Sequence, residues 1–499
     1  MKIGIIGAGV AGLASAIRMA NRGYEVTVFE ANAYPGGKLS EISKNGFRFD
    51  AGPSLFTMPQ FVEELIEQSG KRIEDYFEYE EMDEVCRYFW EDGTTLNSYA
   101  NAEKFATSVN EALDVPKKVT LKHLKESKRK YDLTAKVFLY QSLHKIKNFI
   151  SLDFVKGLVA LPTLDLFRSM HNTNQSLKHP KLIQLFNRFA TYNGSNPYEA
   201  PGILNSIPHL EHGIGAFFPK GGMYAITKAL YKLGQDLGVT YHFNQAVEEI
   251  MVENKTAKAL KVNGEVLHFD AIISNMDIFF AYRKLLPNEQ HPTKILHQEK
   301  SSSALIYYWG IKEAFPQLGL HNILFSEDYK TEFDTLFKEK SIHDDPTVYI
   351  HISSKCEPND APENGENWFV MINVPNDEGQ DWEALKATAR KNILAKASRM
   401  LGKDIESLIV CEEILEPKTI QSKTQSHLGA LYGTSSNDRM AAFLRHPNFS
   451  TDINNLYFCG GSVHPGGGIP LSLLSAKIVD DVMHNTKGKV KEKPTLVAQ

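Results

Sequence analysis

Apolar and polar positions along this chain follow two rhythms. At the N-terminus, Ile3, Ile5 and Ile6 form a short apolar run that predicts a buried strand. Leu13 to Arg22 are good helix formers, with Gly23 where a C-cap belongs. Glu25 to Glu30 reads as a second strand. Residues 60–115 mix helix and strand signals, and Glu91-Asp92-Gly93-Thr94 marks a hairpin turn. From Gly213 to Asn275 the chain becomes α/β again: a helix over Ala225–Leu237, short strands near Val247–Ile250 and Ala259–Val262, and a buried strand over Asp270–Asn275. Residues 300–415 alternate β-rich runs (Ala304–Gly310, Thr347–Ser353, Trp368–Asn373) with a helix over Trp382–Met400, which predicts a separate sheet. A last strand, Leu456–Phe458, and a helix, Leu471–His484, precede a lysine-rich tail.

At 499 residues the chain exceeds the size of one core. The expected class is α/β, α+β overall. A Rossmann-like domain is assembled from discontinuous segments 1–100, 213–278 and 430–499. A substrate domain with its own sheet spans 279–429, and a helical region that would associate with a membrane spans 101–212.

The first strand runs into Gly7-Ala8-Gly9-Val10-Ala11-Gly12, a G-x-G-x-x-G. Gly7 permits the tight turn, Gly9 lets backbone approach a pyrophosphate, and Gly12 lets the helix pack on the sheet. The helix N-terminus, with Val10 and Ala11 in its first turn, offers free N–H groups and a positive dipole end to the diphosphate. Glu30 closes the second strand ~20 residues on, where an acid accepts hydrogen bonds from a ribose diol and repels a 2′-phosphate.

This unit alone fits NAD or FAD. Glycine-rich loops then recur at Gly36-Gly37-Lys38, at Gly52-Pro53-Ser54, near Gly221, and at Cys459-Gly460-Gly461 through Gly466-Gly467-Gly468-Ile469-Pro470. Such recurrence suits a long cofactor wrapped by the whole chain, hence FAD. A helix beginning at Pro470 would bring a second N-terminus to the flavin, where a positive dipole end favours the reduced anionic ring. Ala31, Val247 and Asn275, at or near the ends of strands, complete the expected cofactor contacts.

These motifs identify a family resemblance. The Gly7–Gly12 turn, the Glu30…Gly36-Gly37-Lys38 loop, Phe49-Asp50-x-Gly52-Pro53, Phe218-Pro219-x-Gly221-Gly222 and His464-Pro465-Gly466-x-Gly468-Ile469-Pro470 resemble bacterial carotenoid desaturases among the amine-oxidase-like flavoproteins. The resemblance covers nearly the whole chain and is strongest to the branch acting on 1-hydroxy carotenoids at the 3,4 bond. It implies FAD, a polyene substrate, and removal of a hydride and a proton from a carbon pair beside the polyene. Phytoene desaturases, and isomerases, saturases or oxidases on the same scaffold, are the competing enzymes. A flavin-bearing escort of lipid cargo is the competing non-enzyme.

Such chemistry needs position and dryness more than a strong base. The expected tunnel draws on Phe186, Phe189, Tyr192, Phe217, Phe218, Phe279, Phe280, Tyr307, Tyr308 and Trp309. His464 in the terminal loop, Glu211 before the 221 loop, and Asp277 after Asn275 are the polar candidates for catalysis. Asp277 also sits where it could cap the next helix.

Composition adds limits. A net charge of −5 argues against nucleic acid. Cys86, Cys356, Cys411 and Cys459 lie far apart, which predicts buried thiols rather than a metal site or disulfides. The first strand starts too early for a secretory leader, and no apolar run reaches the ~18 residues of a spanning helix. A cytoplasmic chain is expected, attached to a membrane surface through Lys117–Leu161. Within that segment ten Lys or Arg and two acids (Glu126, Asp132) lie between Lys117 and Lys147, followed by the apolar run Phe149–Leu161.

Overall fold

The computed structural model describes residues 1–135, 139–144, 161–438 and 444–486. Its first layer is a five-stranded parallel sheet in the order Leu456–Phe458, Ala271–Ser274, Lys2–Ile6, Glu25–Phe29, Thr240–His242. Three of the five strands come from distant parts of the sequence. Each is a short apolar run because both faces are covered, the usual burial of parallel strands. On one face, Ile3, Ile5, Val26, Val28 and Ile273 pack under the helices Val10–Asn21, Tyr224–Asp236 and Ile469–Thr486. On the other, Ile6, Phe29, Ile272 and Phe458 meet Ile250 and Leu260 of the meander Val247–Glu253, Thr256–Val262, Glu265–His268.

The second layer is a seven-stranded sheet in the order Ile409–Leu415, Ser303–Ile311, Glu366–Val374, Val348–Ile352, His321–Leu324, Glu84–Phe89, Thr95–Tyr99. Period-2 alternation sorts its side chains. Leu305, Tyr307, Trp309 and Ile311 pack with Trp382, Ile393 and Ala397 of the helix Trp382–Leu401. Ala304, Ile306 and Tyr308 face the other way, beside Phe49 and Phe369.

The hairpin at 91–94 forms as expected, but it belongs to this second sheet. Glu84–Phe89 runs parallel to His321–Leu324, with Tyr88 opposite Ile323. Residues 84–99 therefore leave the dinucleotide unit that the sequence reading bounded at residue 100. Hairpin signals are local, whereas the choice of sheet edge is set by a partner more than two hundred positions away.

The basic segment starts as the helix Lys117–Thr134. One face, with Thr120, His123, Leu124, Ser127 and Lys130, is buried, and Lys117, Lys118, Lys122, Lys125 and Lys128 are exposed. Lys130 departs from the expected solvated basic run. Its ammonium, 3% exposed, donates to Asp165 Oδ2 at 2.8 Å and to the Gly202 carbonyl at 2.9 Å. The apolar run that follows lies largely outside the described residues. Among the described residues, no helix is long and apolar enough to cross a membrane.

Lys128 and Lys130 should therefore behave oppositely. Lys130→Gln breaks a buried pair and is expected to destabilise by about 3 kcal/mol. Lys128→Gln, at an exposed i,i+4 pair with Asp132, should stay within about 0.5 kcal/mol. Urea unfolding followed by tryptophan fluorescence checks this, and equal midpoints for the two variants would contradict the assignment.

Candidate active site

A cavity of about 1480 Å3 runs between the two layers. Ligand pockets usually enclose roughly 300–1,000 Å3, so this one has room for more than a single drug-sized molecule. One end is the glycine turn. Gly7 has φ +91°, a left-handed value that glycine adopts without strain. Gly12 packs directly on the turn, where a Cβ would lie 2.0 Å from the Gly7 carbonyl. The helix Val10–Asn21 opens on Gly9 with no side-chain cap, and Val10 and Ala11 line the cavity. A buried helix start without a cap calls for a ligand acceptor. Glu30 stands beside it, 6% exposed, accepting from the N–H groups of Ala8 (2.7 Å) and Asn32 (2.8 Å). Oε1 also accepts from the Asn32 side-chain amide at 2.8 Å, so Oε2 is the oxygen that keeps a lone pair for a ribose hydroxyl.

Asn275 ties this turn to the C-terminal loop. Its N–H bonds the Ile6 carbonyl at 2.8 Å. With its amide oxygen turned toward them, its side chain accepts from the N–H groups of Gly9 and Gly12, both at 3.2 Å. A Cβ on Gly9 would sit 2.7 Å from this amide, and one on Gly460 2.6 Å from it. The Gly36 N–H bonds the Ala8 carbonyl at 2.8 Å, which braces the Gly36-Gly37 loop against the turn.

Ala31, Gly37, Lys38, Gly52, Pro53, Ser54, Val247, Gly460, Gly461, Gly468, Ile469 and Pro470 line the same cavity, as do Gly7, Gly9, Glu30, Gly36 and Asn275. Gly12 sits behind the wall. Lys38 crosses toward the C-terminal segment, donating to the carbonyls of Ala430 (3.0 Å) and Leu431 (2.8 Å). Burial lowers its pKa to about 8, partly offset by the charge of Asp277. A second helix, Ile469–Thr486, starts at the cavity.

The three polar candidates fall in different places. Asp277 lines the cavity and caps the short helix at Ile278–Phe280, accepting from the Phe279 N–H at 2.9 Å. Burial raises its pKa. His464 points away from the cavity: Nε2 lies 2.9 Å from the Gln141 carbonyl, and Asn448 donates to the His464 carbonyl at 2.7 Å. Burial pushes its pKa down to about 4, so the ring is neutral at pH 7. This arrangement fixes the loop that carries Pro465 and Gly466. Glu211, 1% exposed, lines the cavity. It accepts a hydrogen bond from the Tyr192 hydroxyl and pairs with Arg188 Nη2 at 3.4 Å.

One face of the seven-stranded sheet floors the rest. Ala304, Ile306 and Tyr308 line the cavity with their cross-strand neighbours Asn373, Met371 and Phe369, and with Tyr349, Ile323 and His321. Of the aromatics expected in the tunnel, Tyr192 and Tyr308 are on its wall. The rest pack elsewhere: Tyr307 and Trp309 lie on the opposite face of their strand, Phe186 and Phe189 are in the helical core, and Phe279 stacks on His427. Ser54 Oγ lies 2.8 Å from the Tyr349 hydroxyl, itself 2.7 Å from His321 Nδ1. Burial lowers the His321 pKa to about 3. Arg188, Tyr349 and His321 escaped the sequence reading. Arg188 had one signal, a lone cation in the apolar run Leu182–Tyr192; the two strand residues had none.

The geometry thus joins a dinucleotide cradle to a largely apolar chamber with one polar corner. Residues 10–479 match the family described as flavin containing amine oxidoreductase. The chain is 50% identical over 482 residues to a 1-hydroxycarotenoid 3,4-desaturase of Flavobacterium sp. (strain P99-3), covering 97% of this chain and 99% of that protein. It is 34% identical over 486 residues to a 4,4'-diapolycopene oxygenase of Methylomonas sp, covering 96% and 97%. Among solved structures, an oxidoreductase from Methanosarcina mazei shares the fold, with a TM-score of 0.62 at 17% identity over 97% of this chain and 100% of that one. The chain therefore belongs to the flavin containing amine oxidoreductase family, in its carotenoid-desaturase branch, and is an FAD-dependent oxidoreductase.

Proposed function

We propose that the protein desaturates a 1-hydroxylated acyclic carotenoid at its 3,4 bond. The observation that carries this reading is the continuity of the cavity, which leads from the Gly7–Gly12 cradle to the floor of Ile306, Tyr308, Phe369 and Met371. Val10 and Ala11 would meet the pyrophosphate of FAD, Glu30 the ribose, and the Gly460–Pro470 loop the ring system. When bound, FAD supplies the hydride acceptor. The protein's own contribution is placement and exclusion of water. The sheet face is mostly apolar, which suits a polyene and limits trapping of a developing cation by solvent. Burial raises the Asp277 carboxyl, and Lys38 stands close enough to feel its charge. Both groups line the cavity, where each could hold a proton.

We also propose that the exposed lysine face of the helix Lys117–Thr134 rests on an anionic membrane surface, from which so apolar a substrate would enter. Lys118, Lys122 and Lys125 point to solvent. Arg129 and Lys130 tie this helix to Thr163 and Asp165, just before Phe167, which is 79% exposed. Each lysine near such a surface can contribute about 1 kcal/mol.

Three tests follow from these readings. Anaerobic addition of a 1-hydroxylated acyclic carotenoid should bleach the oxidised flavin and shift polyene absorption to longer wavelength. A flavin that stays oxidised, with the carotenoid unchanged, would favour an escort without turnover. Gly9→Val places side-chain carbons into the Asn275 amide and should yield protein with under about a tenth of the wild-type FAD content; full FAD loading would contradict the cradle. Replacing Lys118, Lys122 and Lys125 together by Gln should weaken cosedimentation with anionic liposomes and leave binding to neutral ones unchanged. Identical binding of both proteins to anionic liposomes would refute the lysine face.

A further inference from the structure

The polar corner of the cavity, Arg188, Tyr192 and Glu211, is built on segments other than the glycine loops of the cradle. Arg188 is 7% exposed and Glu211 1%. Arg188 donates to the Tyr88 hydroxyl at 2.9 Å and to the Tyr192 hydroxyl at 3.0 Å, and its Nη2 reaches Glu211 at 3.4 Å. The guanidinium also lies over the ring of Phe189, 4.5 Å from its centroid. Even so, Arg188 Nε is buried without a partner. A buried ion pair gains stability only when its remaining donors and acceptors are satisfied, and this one leaves a charged donor idle.

Resting on the desaturase reading above, we propose that Arg188, Tyr192 and Glu211 form the subsite that recognises the end-group hydroxyl of the substrate. A hydroxyl both donates and accepts. Its proton goes to the Glu211 carboxylate, which Tyr192 holds in place, and its oxygen takes a hydrogen bond from Arg188. Placement supports this. In a 1-hydroxy substrate desaturated at the 3,4 bond, the hydroxyl carbon is two C–C bonds, each about 1.5 Å, from the nearer reacting carbon. The reader must then stand close to where the flavin reacts. Ser54, in the loop expected at the cofactor, lies 2.8 Å from the Tyr349 hydroxyl, and Tyr349 lines the same cavity as Arg188 and Glu211.

Discrimination follows from what an unhydroxylated analogue leaves behind. It would bury the same charged groups with their hydrogen bonds unmade, a loss of about 1.5–3 kcal/mol, or roughly tenfold to a hundredfold. Apolar surface alone cannot reject such an analogue so strongly.

The test compares kcat/KM of FAD-loaded protein on three substrates: a 1-hydroxylated acyclic carotenoid, its 1-deoxy counterpart, and its 1-methoxy ether, which cannot donate to Glu211. Wild type should prefer the hydroxylated compound over both by at least about tenfold. Tyr192→Phe and Glu211→Gln should each shrink that preference at least about fivefold, by slowing the hydroxylated substrate more than the deoxy one. Flavin absorption reports that each variant retains the fold. If wild type turns over none of the three, the desaturase reading and the subsite both fall. Equal wild-type rates on all three leave the desaturase standing and overturn the subsite. An unchanged preference in FAD-loaded Tyr192→Phe and Glu211→Gln overturns it as well. If neither variant retains FAD, the methoxy comparison in wild type decides: equal rates on ether and alcohol overturn the assignment, and a tenfold deficit for the ether upholds it.

Discussion

Asn275 sits where three distant stretches of chain close on one another. It follows the strand Ala271–Ser274, and the turn at Gly9 and the loop at Gly460 approach its amide so closely that a Cβ on either would lie 2.7 or 2.6 Å from it. This contact is possible only because the strands Lys2–Ile6, Ala271–Ser274 and Leu456–Phe458 lie in one parallel sheet. The helix starts at Val10 and Ile469 follow from the same convergence. Move any of the three segments, and both helix ends lose their aim at the cavity.

Around that contact the chain separates two kinds of burial. The seven-stranded sheet uses its period-2 alternation to give one face to a packed core and the other to the cavity. Tyr308 and Phe369 meet across one pair of strands and Tyr349 and Met371 across the next. Against this apolar floor stand a few deeply buried polar groups, Asp277 and Lys38 toward the glycine loops and Arg188 with Glu211 in the corner. Dehydrated charges are costly unless partnered: backbone groups partner Lys38 and Asp277, whereas Arg188 keeps one donor, Nε, without a partner.

The dinucleotide unit was legible because its requirements are local: a turn needs Gly7, and a ribose needs an acid at Glu30. The terminal loop was legible because its glycines and Pro470 form an unbroken motif. The hairpin at 84–99 was read as a hairpin, but its sheet was not, since edge pairing with His321–Leu324 leaves no mark in either segment. The tunnel aromatics were overcounted for a related reason. Alternation places Tyr307 and Tyr308 on opposite faces, and nothing in the run Ala304–Gly310 says which face is hollow. Lys130 looked like one more lysine of a basic run until Asp165 and the Gly202 carbonyl appeared beneath it. His464 belongs to the terminal motif, but its ring turns back to the Gln141 carbonyl, a contact between residues far apart in the chain.

The central claim is that one cavity holds cofactor and polyene together, the hydroxylated end of the polyene lying at Arg188 and Glu211. A crystal structure of the FAD-loaded protein with a bound 1-hydroxy carotenoid tests it most directly. The account predicts the end-group oxygen within hydrogen-bond distance of Glu211 and the polyene laid along Ile306, Tyr308 and Phe369. A carotenoid bound with its hydroxyl in solvent, or outside the space between the two sheets, would contradict it.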